Sequence, residues 1–274
     1  MNRNRLGGMM SKKIKFGTDG WRAGIADAYT FDSVRRCTQG FADYLRGIDH
    51  DNKNVVVGYD MRFLSEFFAK TAAEVLAGNG FKVFITEGAS PTPVISFSVT
   101  DKKAIGAINI TASHNPPTDN GFKVRDNRGG AVDPKGLLEI EKNIPNNIAH
   151  VKYIELDKAE NQGLVNFFDP SEKYIQQLTK FVNFQELKDA GFKILVDPMW
   201  GNGIGWFPRL LDGGATLVEE IHDHRNPIFP EMLRPEPIPP NIDVGLAEVL
   251  NKNSDVLIIN DGDADRVGIG DEKG

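Results

Sequence analysis

Two segments of this chain concentrate side chains able to do chemistry. The first is Thr111-Ala112-Ser113-His114-Asn115-Pro116-Pro117-Thr118-Asp119-Asn120-Gly121-Phe122-Lys123. Its prolines stiffen the backbone and remove donors, while Ser, His, Asn and Lys crowd into one turn. A serine hydroxyl is a weak nucleophile and needs a base, a metal or an existing modification to react. Ser113 lacks the G-x-S-x-G elbow of a triad hydrolase, and an adjacent Ser-His pair does not make a triad. On composition alone, a polar surface turn is the competing reading. The second segment is Asp261-Gly262-Asp263-Ala264-Asp265-Arg266. Carboxylates at i, i+2 and i+4 repel one another unless a cation compensates them, and an all-oxygen donor set suits a hard ion such as Mg²⁺. Gly262 and Ala264 are small enough to let the backbone curl so that Asp261, Asp263 and Asp265 converge. The loop is not an EF-hand, because the calcium-loop spacing and distal Glu are missing. An acidic solvated turn is the bland alternative, weakened by the apolar run Val256-Leu257-Ile258-Ile259 that feeds the loop. A third and weaker signal is Gly20-Trp21-Arg22, where an arginine in a glycine-rich turn could offer a bidentate fork to a phosphate.

The elements needed to position these groups are legible in the hydrophobic pattern. Residues 1–13 read as a flexible lead, and 15–24, with three glycines among polar groups, as a shaped loop. Thr30 or Asp32 can cap a helix whose apolar stripe is Val34, Cys37, Phe41 and Leu45. Val55 to Tyr59 is a short covered strand, Leu64 to Leu76 an amphipathic helix closed by Gly78 and Gly80, and Phe81 to Ile85 a second strand. Strand, helix, strand implies a mostly parallel sheet with helices on its faces. Ala104 to Ile110 adds a strand directly before the serine loop, and in open α/β sheets ligands collect beyond the carboxyl ends of strands.

The polar stretch 141–165 reads as a hinge or linker, after which a second α/β pattern opens. A helix over Ser171 to Phe181, a strand over Phe192 to Val196, a helix near Trp206 to Leu211 and a stripe at Ile242, Leu246, Val249 and Leu250 are expected. Arg225 to Pro240 contains six prolines and reads as an extended crossover. The fold class expected is α/β, with two mixed or mostly parallel sheet domains covered by helices. The serine-bearing domain spans 14–150 and the aspartate-loop domain 151–274. Val267-Gly268-Ile269-Gly270 begins another strand just before Gly274, so the second domain is expected to be incomplete at its C-terminus.

A length of 274 residues suits two such domains. A net charge of −6 argues against a nucleic-acid footprint, though not against a locally positive pocket for small phosphates. The single cysteine, Cys37, excludes an internal disulfide and falls on the apolar helix stripe. No apolar stretch approaches the roughly 20 residues needed to cross a bilayer, and the opening segment lacks the apolar core of a signal peptide. A cytoplasmic location without a membrane partner is the default expectation. Oligomeric state is not legible.

Taken together, the three loops resemble the α-D-phosphohexomutases, the phosphoglucomutase and phosphomannomutase enzymes. The motifs that carry the resemblance are Phe16-Gly17-Thr18-Asp19-Gly20-Trp21-Arg22, Thr111 to Pro116, Asn120-Gly121-Phe122-Lys123 and Asp261 to Arg266. Softer matches lie at Gly58-Tyr59-Asp60 with Arg62, at Asp197-Pro198-Met199 and at Pro235-Glu236-Pro237. The resemblance implies that Ser113 carries a phosphoryl group and exchanges it reversibly with a hexose phosphate. Hexose 1-phosphate and hexose 6-phosphate would interconvert through a hexose 1,6-bisphosphate, which is both intermediate and activator. It further implies Mg²⁺ held by Asp261, Asp263 and Asp265 against Ser113, and phosphate contacts from Arg22, Arg266 and Lys123. Lys123 and His114 are the candidates for proton handling, Lys123 ranked first, and Arg22 joins them in the catalytic set. Members of the family have four domains, and this chain resembles the first and most of the second. A truncated, non-catalytic module binding a metal or sugar phosphate is the alternative reading, and a phosphatase with an aspartate nucleophile a more distant one.

Overall fold

The computed structural model describes residues 14–17, 19–48, 50 and 52–274. The flexible lead expected over 1–13 lies outside the described residues, as does Thr18 of the first motif.

The first sheet has six strands: β1 (Trp21–Gly24), β2 (Asn54–Tyr59), β3 (Lys82–Thr86), β4 (Ala107–Ile110), β5 (Asp119–Arg125) and β6 (Val165–Phe168). Their order is β1-β5-β4-β2-β3-β6. The β4-β2-β3-β6 neighbours are parallel, whereas β5 runs antiparallel to both β4 and β1. Alternation sorts β2 between two faces. Val55 and Val57 enter the main core with α1 (Phe31–Arg46) and α2 (Ser65–Gly78), while Val56 meets Ile95 and Val99 of α3 (Thr92–Asp101) on the other face. The α1 stripe forms as its spacing predicts, with Val34, Cys37 and Phe41 fully buried. Thr30 and Ser33 close a capping box at its start. Gly40 lets α4 (Pro134–Asn143) pack against α1, since a Cβ there would lie 2.8 Å from Ile144 Cγ1 and 2.9 Å from Ile140 O.

The second sheet has four strands, β7 (Lys193–Asp197), β8 (Leu217–Glu220), β9 (Val256–Asn260) and β10 (Val267–Asp271), in the order β10-β9-β7-β8. The β7 strand is parallel to β8 and β9, and β10 returns antiparallel along β9. Leu195, Leu257 and Ile259 pack with Val249 of α9 (Asp243–Asn251) on one face. Ile194 and Val196 pack on the other with Leu211 of α8 (Trp206–Leu211) and with Phe184, the first residue of α7 (Phe184–Asp189). The architecture is therefore two α/β units with mixed sheets wrapped by helices.

Four expectations change. The 141–165 stretch is not a linker: a 3-10 turn (Ile148–His150) and α5 (Leu156–Asn161) lead into β6, which pairs with β3. Ala159 and Val165 belong to the first core, so the first sheet continues through Phe168, beyond the boundary expected at 150. The shaped loop over 15–24 contains β1, whose Trp21 pairs with Phe122. Lys123 lies on β5 rather than in the serine loop, because Asn120 to Arg125 run as a strand paired with β4 on one side and β1 on the other. Between the sheets, α6 (Ser171–Leu178) forms within the expected helix but buries none of its residues. No helix among the described residues is long and apolar enough to cross a membrane.

Candidate active site

The β4 and β9 strands end toward one another, and the two loops that follow them meet. Ser113 is 2% exposed and sits in the left-handed region at φ 53°, a conformation that costs a non-glycine residue about 1–2 kcal/mol. Its N–H donates to Thr111 Oγ1 (2.8 Å) and its carbonyl accepts from Arg62 Nη2 (2.6 Å). The hydroxyl is thereby aimed across the interface, donating to Asp261 Oδ2 (2.9 Å) and accepting from Arg266 Nη2 (3.0 Å). Close approach of the loops depends on Gly262, where a Cβ would lie 2.6 Å from Ser113 O.

Asp261 is bound on both carboxylate oxygens. The amides of Asp265 and Arg266 donate to Oδ1 (3.0 and 3.1 Å), and the Arg266 fork donates to Oδ2 through Nε (3.0 Å) and Nη2 (2.6 Å). Arg266 also touches His114 Nδ1, which stands 3.5 Å from Ser113 Oγ. Glu236 of the crossover closes this side, with Oε1 3.5 Å from Arg266 Nη1 and 3.7 Å from His114 Nε2. Burial and the Arg266 charge hold the His114 pKa below its ordinary value, with Glu236 opposing, so the imidazole is neutral at pH 7.

Asp263 is fully buried and anchors the other side. Its Oδ2 accepts from Thr92 Oγ1 (2.7 Å) and Lys123 Nζ (2.9 Å), and Thr92 N–H donates to its carbonyl (2.9 Å). Lys123 also reaches Asp265 (3.2 Å) and Asp19 (3.1 Å), and Arg125 holds Asp19 at 2.6 Å. Burial disfavours the Lys123 ammonium, but Asp263, Asp265 and Asp19 outweigh it and push its pKa up to about 12. Burial would also raise Asp263, yet Lys123 and the hydrogen bond from Thr92 hold it well below the usual carboxylate range. Asp261 goes the other way, raised by burial and by Asp263 and Asp265 despite Arg266.

The aspartates fit a hard divalent cation. One oxygen from each of Asp261, Asp263 and Asp265 lies within 4.8 Å of the others, and Asp263 Oδ1 is buried without a hydrogen-bond partner among the described residues. Such an orphaned oxygen is costly unless something binds it. Ser113 Oγ, on Asp261, adds a fourth oxygen beside the set.

These loops fall within two matched family descriptions. "Phosphoglucomutase/phosphomannomutase, alpha/beta/alpha domain I" matches residues 13–150, and "alpha/beta/alpha domain II" of the same family matches 172–274. The chain belongs to the phosphoglucomutase/phosphomannomutase family. It is 30% identical to a Staphylococcus haemolyticus phosphoglucomutase over 93% of this chain and 48% of that protein. It is 31% identical to a Pyrococcus abyssi protein described as a probable phosphoglucosamine mutase, over 94% of this chain and 54% of that one. A Thermus thermophilus crystal structure described as that of a "putative phosphomannomutase" superposes with a TM-score of 0.85 at 33% identity, over 96% of this chain and 58% of its own. The chain thus spans about half the length of the curated relatives it matches. Because relatives named for different sugars are equally similar, identity does not choose the sugar.

Within this family member, Ser113, His114, Asp261 and Arg266 form one contiguous contact set, and Lys123, Asp263 and Asp265 another. Arg22 stands apart: exposed on β1 across from Gly121, it makes no ion pair among the described residues. Its charge is nonetheless close enough to lower the pKa of His114. Sequence reasoning assigned no role to Asp19, Arg62, Thr92 or Glu236. Arg62 and Glu236 did lie in softer motif matches and Asp19 in a strong one, so proximity to a motif was their only signal. Thr92 gave none, because α3 was not anticipated.

Proposed function

We propose that this chain supports phosphohexomutase chemistry: reversible phosphoryl transfer between hexose 1-phosphate and hexose 6-phosphate, through phosphoserine at Ser113 and a hexose 1,6-bisphosphate. The observation that carries the proposal is the Ser113 hydroxyl bound between Asp261 Oδ2 and Arg266 Nη2 at 2.9 and 3.0 Å, beside a three-carboxylate cluster. A surface turn would not bury a serine in this setting, and a triad would place an imidazole rather than a carboxylate on its hydroxyl.

Phosphoryl transfer demands positioning and charge stabilisation more than covalent chemistry from the protein. In the half-reaction that loads the enzyme, Ser113 Oγ bonds to phosphorus and the phosphorus–oxygen bond to the sugar breaks. The serine proton ends on the sugar oxygen. Arg266 orients the Ser113 oxygen and would remain against a phosphoryl group carried there. Lys123, with its proton held by three carboxylates, acts as a fixed positive charge rather than as a base. His114 Nδ1, 3.5 Å from Ser113 Oγ, already faces Arg266, so it supports the serine oxygen beside that guanidinium rather than offering it a free base. Arg22, without an ion pair among the described residues, is available to an incoming phosphate. Mg²⁺, held by Asp261, Asp263 and Asp265, would supply Lewis-acid neutralisation of charge on phosphoryl oxygens.

The test is incubation with glucose 1,6-bisphosphate and Mg²⁺, followed by intact-mass measurement and peptide mapping. One phosphoryl group should appear at Ser113 and be absent from Ser113→Ala. Asp261→Asn should slow loading by about 100-fold or more. Binding of Mg²⁺ and sugar phosphate with no phosphate ever reaching Ser113 would favour a non-catalytic binding module instead.

A further inference from the structure

Arg62 is the largest fully buried side chain of the described residues. A buried guanidinium has five donors to satisfy, and here its acceptors come overwhelmingly from one segment. Nη2 donates to the carbonyls of Ser113 and Asn115 (both 2.6 Å), and Nη1 to those of Pro116 (2.8 Å) and Asp119 (3.2 Å). The remaining edge faces Asp60, with Nε 3.3 Å from Oδ2 in an ion pair that makes no hydrogen bond among the described residues. Asp60 Oδ1 is in turn fixed by Ser65 Oγ (2.6 Å) and Arg62 N–H (3.0 Å). The segment is short of internal bonds, since Pro116 and Pro117 contribute no N–H. The guanidinium therefore acts as a template on which the serine loop is laid.

The second unit reaches the same arginine. Phe229, 2% exposed, places its ring centroid 5.0 Å from the guanidinium carbon. Arg225 donates from Nη2 to the carbonyl of Arg62 (3.0 Å) and from Nε to that of Met61 (3.0 Å), and pairs with Glu66 at 2.9 and 3.2 Å. Both residues belong to the proline-rich crossover that separates β8 from α9.

We propose that Arg62 is a positioning residue for Ser113, and that Phe229 and Arg225 make the presentation of Ser113 conditional on the crossover of the second unit. The inference rests on Ser113 being the phosphoryl acceptor. Arg62 touches neither the hydroxyl nor the aspartate cluster; it acts through the backbone. A lysine at this position keeps the charge facing Asp60 but cannot satisfy four carbonyls in two directions from a single ammonium.

The experiment is single-turnover loading of Ser113 from glucose 1,6-bisphosphate with Mg²⁺, reading rate constant, half-saturating concentration and final amplitude separately. Arg62→Lys should lower the rate constant about 100-fold, with half-saturation within about threefold of wild type and the amplitude retained. Phe229→Leu should lower it about tenfold. Loss of amplitude at an unchanged rate constant would mean a merely structural role and overturn the proposal. In parallel, amide exchange is followed at Ser113 and Asn115, whose N–H groups bond within the loop, against the amides of β2 as internal control. Both variants should accelerate exchange at the loop and leave β2 unchanged. Should wild type itself not load phosphate, the mutase reading falls, and the exchange measurement alone decides the positioning. Acceleration confined to the loop upholds it, and unchanged exchange overturns it. If Arg62→Lys does not fold, Phe229→Leu and Arg225→Gln carry the same two measurements.

Discussion

The two units of this protein are built to different depths. In the first, β2 and β4 are covered on both faces, and α1 and α2 bury most of their length. In the second, the outer strands β8 and β10 show alternating exposure, while α6 and α7 bury no residue at all. Yet the aspartate loop carried by this thinner unit is as enclosed as the serine loop, with Asp261 and Asp263 at 0% exposure. That enclosure comes from the first unit: Lys123 and Thr92 sit on Asp263, and Ser113 sits on Asp261. Burial at the site is thus a property of the contact between the units, not of the sheet that delivers the loop.

The contrast can be broken or sharpened by substitution. The largest effect is expected for Phe41→Ala in the first core, about 3–5 kcal/mol of stability by urea unfolding, because the fully buried ring leaves a cavity rigid neighbours cannot fill. Leu257→Ala in the second core should cost about 2–3 kcal/mol, since partly exposed neighbours such as Leu246 can relax into the gap. A reversed ranking would contradict the difference in depth. Gly262→Ala tests the contact itself: its Cβ would lie 2.6 Å from the backbone oxygen of Ser113, across the two units. It should cost about 2 kcal/mol and weaken Mg²⁺ binding by calorimetry, whereas either core substitution should leave metal affinity within about twofold in the folded fraction.

A smaller, pH-dependent effect is expected at His222. Burial disfavours its imidazolium, but Asp197 at 2.8 Å and Glu231 at 3.2 Å outweigh this and raise its pKa above the ordinary 6.5. A raised folded-state value means the stabilisation is complete below 6.5 and is lost as pH rises through the folded value. Wild type should therefore lose stability relative to His222→Gln across that window, by about 1.5 kcal/mol in urea midpoints compared at acid and alkaline pH. The smallest effect belongs to Phe181→Ser, within about 0.5 kcal/mol, because that ring is 77% exposed beyond α6. A large loss there would show that the second unit relies on surface it exposes.

Much of this was readable without coordinates. The α1 stripe, the Val55 to Tyr59 strand, the Val256 to Ile259 strand and the convergence of three aspartates each follow from local chemistry, because apolar spacing and like-charge repulsion act between neighbours in sequence. The failures share the opposite character. The 141–165 segment looks polar, yet Ala159 and Val165 find cover only because β3 offers an open edge. Trp21 to Gly24 has no strand periodicity of its own and becomes β1 because β5 lies alongside.

The same division runs through the site. Sequence alone determined which residues could carry a phosphoryl group, hold a hard cation or grip a phosphate, since those capacities belong to the side chains and their spacing. Only the tertiary structure decided that Ser113 rests on Asp261 across 148 positions of chain, and that Lys123 keeps its proton among three carboxylates. It likewise decided that a buried Arg62 holds the serine loop from beneath. Charge state and orientation are set by what surrounds a group in a low-dielectric interior. Those surroundings are assembled from segments that the order of the sequence keeps far apart.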